Sequence, residues 1–120
     1  MFENVVLSKD VDEDVVVATL SGEIDIANVA DIGAIILEGL PREAIGLVVN
    51  LASVSFIDSA GIRMLFDLAR QTDTHRQRLG IAIDDDAPVR RLLKITNIQE
   101  VVTLAGTVEE CTAAMRDAAT

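Results

Sequence analysis

The chain has 120 residues with ten basic and twenty acidic side chains, a formal net charge of −10. That length fits one domain, so residues 1–120 are read as a single folded unit, and the acidity opposes binding to a nucleic-acid phosphate backbone. Half of the residues are hydrophobic, yet there are only three Phe and no Tyr or Trp, so the core must be aliphatic.

The first apolar run, Val5–Leu7, and the second, Val15–Leu20, read as short strands. The acidic turn KDVDED between them is short enough for an antiparallel hairpin. Leu20-Ser21-Gly22-Glu23-Ile24-Asp25 then reads as the end of the second strand and the exit from it. From Asn28 the period changes: Val29, Ile32, Ile36 and Leu40, with Ile35, fall at helical spacing. Gly39 and Pro41 mark where that helix stops. Leu47–Leu51 is a compact apolar run typical of a buried strand. A break at Asp58-Ser59-Ala60-Gly61 follows, and Ile62, Leu65, Phe66 and Ala69 then give a second helix its inner stripe.

The polar connection QTDTHRQR leads to another buried strand, Leu79–Ile83. Pro88 suits the first turn of a third helix whose apolar side is Val89, Leu92 and Leu93. Val101–Leu104 is the last strand expected. Thr107 and Glu110 form a capping box for a final helix that turns Val108, Cys111 and Met115 inward. The order β-β-α-β-α-β-α-β-α implies an α/β domain, with parallel neighbours joined by crossover helices and an N-terminal hairpin that makes the sheet mixed. No linker, internal repeat or low-complexity segment interrupts it.

No apolar run approaches the about 20 residues needed to span a bilayer. The N-terminal stretch carries acidic Glu3 and lacks the basic region of a secretory leader. The single Cys111 excludes an internal disulfide and a cysteine-rich zinc site, and its apolar surroundings point to packing. A cytoplasmic protein without direct membrane insertion is expected. The charge is concentrated: residues 1–58 hold two basic and eleven acidic side chains, a net −9, whereas residues 59–120 hold eight and nine, a net −1. The N-terminal acidity serves solubility or offers a face to a basic protein.

Few residues have the makings of a catalyst. His75 is the one histidine and lies in a polar connection, and no glycine-rich phosphate loop is present. Asp84-Asp85-Asp86 are candidates for a hard cation, but aspartates between a strand and a helix more often cap the helix and favour its dipole. No metal and no cofactor are therefore expected. Ser59 lacks the G-x-S-x-G elbow and a histidine partner, which removes it as a hydrolase nucleophile. It remains either a helix cap, with Asp58 as the other candidate and Gly61 easing the turn, or a site for phosphate. A helix N-terminus tolerates a phosphate through its unpaired N–H groups and dipole. A phosphoryl group would add about −1.5 to −2 charges beside Asp58 and Asp25, turning a bare hydroxyl surface into one that repels a fitted partner with little change of fold.

LSGEID at 20–25, VVNLASVSFIDSAGIRML at 48–65 and VRRLLKITNIQEVVTLAGTVEECTAAM at 89–115 together resemble the STAS domain family, named for sulfate transporters and anti-sigma factor antagonists. The resemblance runs through nearly the whole chain in order. It implies a STAS-like single domain with a four- to five-stranded mixed sheet and about four helices. A free-standing domain of this kind is similar to the bacterial anti-sigma factor antagonists. For those the resemblance implies a non-enzymatic regulator that binds an anti-sigma factor, itself a serine kinase of the histidine-kinase-like ATPase fold, and so frees a sigma factor for transcription. Phosphorylation then switches binding off, and a serine phosphatase restores it. Carried over by position, Ser59 is the phosphoacceptor and Asp58 the aspartate before it. Gly61 is the helix-start glycine and Asp25 a loop aspartate of the partner-facing surface. Ala60, Ile62 and Arg63 complete the partner-binding stretch; apart from the resemblance, the charge of Arg63 offers an alternative, that it pairs with the phosphate rather than with a partner. Many members carry a second Ser or Thr where this chain has Ala60, which here leaves one hydroxyl to modify. Two other readings stay open: a non-switching STAS subunit of a stress-signalling scaffold or lipid-transport complex, and a nucleotide-binding sensor.

Overall fold

Five strands form one sheet in the computed structural model, which describes residues 4–10 and 12–119. Met1–Glu3, part of the stretch read above for a leader, lie outside the described residues. The strands are β1 (Val5–Lys9), β2 (Val15–Ile24), β3 (Gly46–Ile57), β4 (Arg78–Ala82) and β5 (Thr103–Ala105), and they lie side by side in chain order. β1 and β2 are an antiparallel hairpin, and every later neighbour is parallel. The helices α1 (Val29–Glu38), α2 (Ser59–Thr74), α3 (Pro88–Ile95) and α4 (Val108–Ala119) supply the crossovers and the C-terminal element. The expected α/β architecture, its mixed sheet and its four helices are all present.

Strand alternation sorts the sheet into two faces. Val16, Leu47 and Leu79 stand abreast, as do Val17, Val48 and Gly80. The first row belongs to the main core with Leu20, Val49, Leu51 and Ile81, covered by Ile32 and Ile36 of α1, Leu65 and Leu68 of α2 and Leu93 of α3. The second row, with Val15 and Ala82, meets Cys111 and Met115 of α4. Three helices thus cover one face and one helix the other. Burying a side chain such as Leu65 fully is worth about 1.5–3 kcal/mol before the ordering cost is subtracted. α4 lies close because Gly80 has no side chain: a Cβ there would stand 3.1 Å from the Cys111 Cβ.

Several boundaries differ from the sequence reading: β3, read as Leu47–Leu51, runs on to Ile57, and β2 and β5 differ as well. LSGEID is not an exit from the sheet. β2 continues to Ile24 and pairs with the far end of β3, where Glu23 lies opposite Phe56 and Ile24 opposite Ile57. Register shifts between Thr19 and Ser21 and between Gly22 and Glu23 accommodate the extension, and Gly22 takes φ +77°, a conformation that suits glycine. The last strand starts later than expected, at Thr103. Asn97 adopts a left-handed conformation and opens a single 3-10 turn, Ile98–Glu100, which spends Val101 in a turn and leaves it exposed.

Candidate functional site

β2 and β3 are adjacent and parallel, so the chain leaves both at the same sheet edge. The two departing loops meet through Asp58. Asp58 is the N-cap of α2, with extended backbone (φ −99°, ψ −174°), and its Oδ1 accepts the Gly61 N–H at 3.0 Å. Its Oδ2 accepts the Ile26 N–H at 3.2 Å, and its own N–H donates to the Ile24 carbonyl at 3.1 Å. One carboxylate therefore satisfies a helix end and pins the neighbouring loop.

That loop, residues 25–28, is tied to itself as well. Asp25 Oδ1 accepts the Ala27 N–H at 3.0 Å, and Asn28 Oδ1 accepts the Asp25 N–H at 2.9 Å. Asn28 Nδ2 donates to the Glu23 carbonyl at 2.8 Å. The side chain of Asn28 holds the loop rather than capping α1. What the loop presents outward is Ile26, 77% exposed.

Of the two candidate caps, Asp58 is the cap and Ser59 is not. Ser59 is the first residue of α2, exposed, and its hydroxyl makes no hydrogen bond among the described residues. Gly61 does not ease a turn through an unusual backbone angle, since Gly22 is the one glycine described with positive φ. It is buried, and its function is close approach: a Cβ there would lie 2.4 Å from Ile57 Cγ1 and 3.2 Å from the Ile24 carbonyl oxygen. Ile62 is half-buried and packs on the main core. Arg63 is exposed, and Ala60 is half-buried. The structure thus gathers Asp58, Ser59, Ala60 and Arg63 on the first turns of α2, with the Asp25 loop hydrogen-bonded alongside.

A groove of about 330 Å³ runs between α1 and α2 from this point. Small residues, Ala30, Gly33, Ala34 and Ala60, make the gap, and Ile26 and Arg63 stand among its walls. The sequence reading missed both Ile26 and the groove. The signal was present but weak: small residues recurring on one side of α1, and an isoleucine inside a polar loop.

The other polar clusters are self-contained. Asp84 Oδ1 accepts the Asp86 N–H at 3.0 Å, and Asp85 pairs with Arg90 at 3.1 Å. None of the three aspartates caps α3, whose N-cap is Ala87 followed by Pro88. That corrects the expectation of a cap there: the aspartates fold their own loop and hold Arg90. Asp10, Asp12 and Asp14 of the hairpin turn come together closely enough to suit a cation. The Arg116 guanidinium of α4 already reaches all three, at 2.6 Å from Asp14 and 3.4 Å from Asp12, with Asp10 as its hydrogen-bonded partner. Burial pushes the Asp10 carboxyl up, but its bonds to Arg116 and to the Val15 N–H outweigh that and hold it below the ordinary range. Burial also pushes the Cys111 thiol up to about 11, so it stays protonated and unreactive at neutral pH. His75 is exposed at the C-cap of α2, away from these groups in the chain.

The STAS domain family model matches residues 7–111. The chain belongs to the STAS domain family. Its fold is that of an anti-sigma factor antagonist from Mycobacterium paratuberculosis, with a TM-score of 0.80 at 22% identity over 93% of this chain and 92% of that one. SpoIIAA in its unphosphorylated form superposes with a TM-score of 0.64 at 23% identity over 97% of this chain and 99% of that one. The Bacillus cell fate determinant SpoIIAA in the phosphorylated form gives 0.63 at 23% identity, over 92% and 97%. No curated protein sequence is significantly similar. Among the described residues no helix is long and apolar enough to cross a membrane.

Proposed function

We propose that this STAS domain is an anti-sigma factor antagonist that acts by partner switching through Ser59. The observation that carries the reading is the division of labour at the start of α2. Asp58 caps the helix, so the exposed Ser59 hydroxyl has no structural duty and is open to modification. In the bare state the surface of Asp25, Asp58, Ser59, Ala60 and Arg63 binds an anti-sigma factor that is also a serine kinase, and the sigma factor is released. The kinase transfers the terminal phosphoryl group of ATP to Ser59 Oγ. The added dianion stands beside the Asp58 carboxylate, and binding is lost by repulsion and desolvation. Hydrolysis by a serine phosphatase returns the bare hydroxyl. The domain in this cycle is a substrate and a binding module, works in the cytoplasm and needs no cofactor of its own.

The test is affinity capture from source-cell lysate with three baits: wild-type protein, Ser59→Ala, and protein carrying phosphoserine at 59. Retention of an ATP-binding kinase by the first two and its loss from the third supports the switch. Retention of the same proteins by all three overturns it in favour of a non-switching STAS subunit. Incubation of the captured kinase with ATP must label wild type and not Ser59→Ala. Label on Ser53, Ser55 or Thr72 instead would refute the site.

A further inference from the structure

We propose that Arg63 is the internal counter-ion of phosphorylated Ser59, an assignment that rests on the phosphorylation reading above and adds a residue to it. Ser59 and Arg63 are four apart in α2, which places their Cβ atoms about 5–6 Å apart on one face of the helix. Side chains on a helix lean toward its N-terminus, so the Arg63 side chain leans over the turn that Ser59 opens. Both residues are exposed, and Arg63 lines the groove together with Ala60, the residue next to Ser59.

The nearby carboxylates are already engaged. Asp67, one turn further along, is held by Arg70 at 2.8 Å. Asp58 accepts two backbone N–H groups, and Asp25 accepts the Ala27 N–H. Arg63 itself makes no ion pair among the described residues. A cation this close to the positive end of a helix dipole is a poor local choice unless a negative group stands beside it, and the carboxylate at that end, Asp58, is directed at the Gly61 and Ile26 N–H groups and makes no ion pair with Arg63. A phosphate on Ser59 supplies that group. Its charge of about −1.5 to −2 is then partly neutralised, and the guanidinium at the groove mouth is withdrawn from any partner carboxylate. The switch so acts twice: it adds an anion and removes a cation.

The experiment uses full-length protein with phosphoserine installed at position 59 during translation. The second phosphate pKa is followed by phosphorus NMR in low salt. Arg63→Gln is expected to raise that pKa by about 0.3, the size of an i, i+4 ion pair expressed as a pKa change. Arg63→Lys should restore most of the difference, and Arg91→Gln on α3 should change nothing. Raising the salt to about 1 M, where the Debye length falls to about 3 Å, should shrink the difference. Superimposable titrations of the parent and Arg63→Gln in low salt would overturn the pairing. Because the phosphate is installed without a kinase, that result bears on Arg63 alone, whereas absence of kinase labelling at Ser59 bears on the switch.

Discussion

Two turns of this molecule start from similar chemistry and end differently. Each leaves a parallel strand, carries aspartate, and leads into a helix: Asp58 after β3 and Asp84–Asp86 after β4. In the second turn two of the three carboxylates are engaged locally. Asp84 bonds its own loop, Asp85 takes Arg90, and Pro88 at the helix start has no N–H to satisfy. In the first turn a single aspartate caps the helix and also reaches across to the Ile26 N–H of the loop after β2. The residue after it is left with a free hydroxyl. The difference is that in the first turn one group takes over the structural duties of its neighbours and leaves a polar side chain exposed.

That contrast can be broken at several points. The largest effect is expected at Gly61. Ala in place of Gly inside a helix ordinarily stabilises by about 0.5–1 kcal/mol, but here the new Cβ meets Ile57 Cγ1 at 2.4 Å. Overpacking should reverse the sign, and Gly61→Ala should lose about 1–3 kcal/mol in urea unfolding. A gain in stability would mean that α2 is free to lift from the sheet. Next comes Asp58→Ala, which should cost about 0.5–2 kcal/mol as a lost cap and speed amide exchange at Ile26. Asp84→Ala should stay within about 0.5 kcal/mol; equal losses at the two sites would erase the distinction.

The hairpin turn offers a control set by pH. Because the Asp10 carboxyl titrates lower in the folded chain than in the unfolded one, its contribution is present above the ordinary aspartate value of about 4 and is lost as the pH falls through its lower folded value. The stability gap between wild type and Asp10→Asn, measured by urea unfolding from pH 7 downward, should therefore close in acid. A gap that widens in acid would show that Asp10 is not held by Arg116. The smallest effect should be Ser59→Ala, within about 0.5 kcal/mol of wild type. A cost above about 1 kcal/mol would mean that the serine shares the capping with Asp58.

The architecture was legible in the sequence because aliphatic periodicity was strong and the helices carried their own start and stop residues. Thr107 illustrates this: its hydroxyl accepts the Glu110 N–H at 3.1 Å, as a capping residue should, while the Glu110 carboxylate turns back to accept the Thr107 hydroxyl at 3.2 Å rather than its backbone N–H. One error occurred where tertiary pairing overrode local signals. Ser21, Gly22 and Glu23 look like a turn, yet they are strand because β3 supplies partners and Gly22 absorbs the irregularity. At the candidate site, motif and spacing pointed to Asp58 and Ser59 but left open which was the cap. The hydrogen bond to Ile26 decides how that residue is displayed, and it joins positions 32 apart in the chain. No local pattern encodes such a contact.

The packing of α4 against Gly80 of β4 has a practical consequence. Cys111 is fully buried between that helix and the sheet, and it is the only cysteine in the chain. It becomes alkylatable only when the α4 layer opens, so its modification rate under native conditions is a clock for that opening. Because α4 covers the face of the sheet opposite α2, the same clock, read with Ser59 bare and with Ser59 phosphorylated, would report whether the modification is felt through the sheet or ends at the surface where it is made.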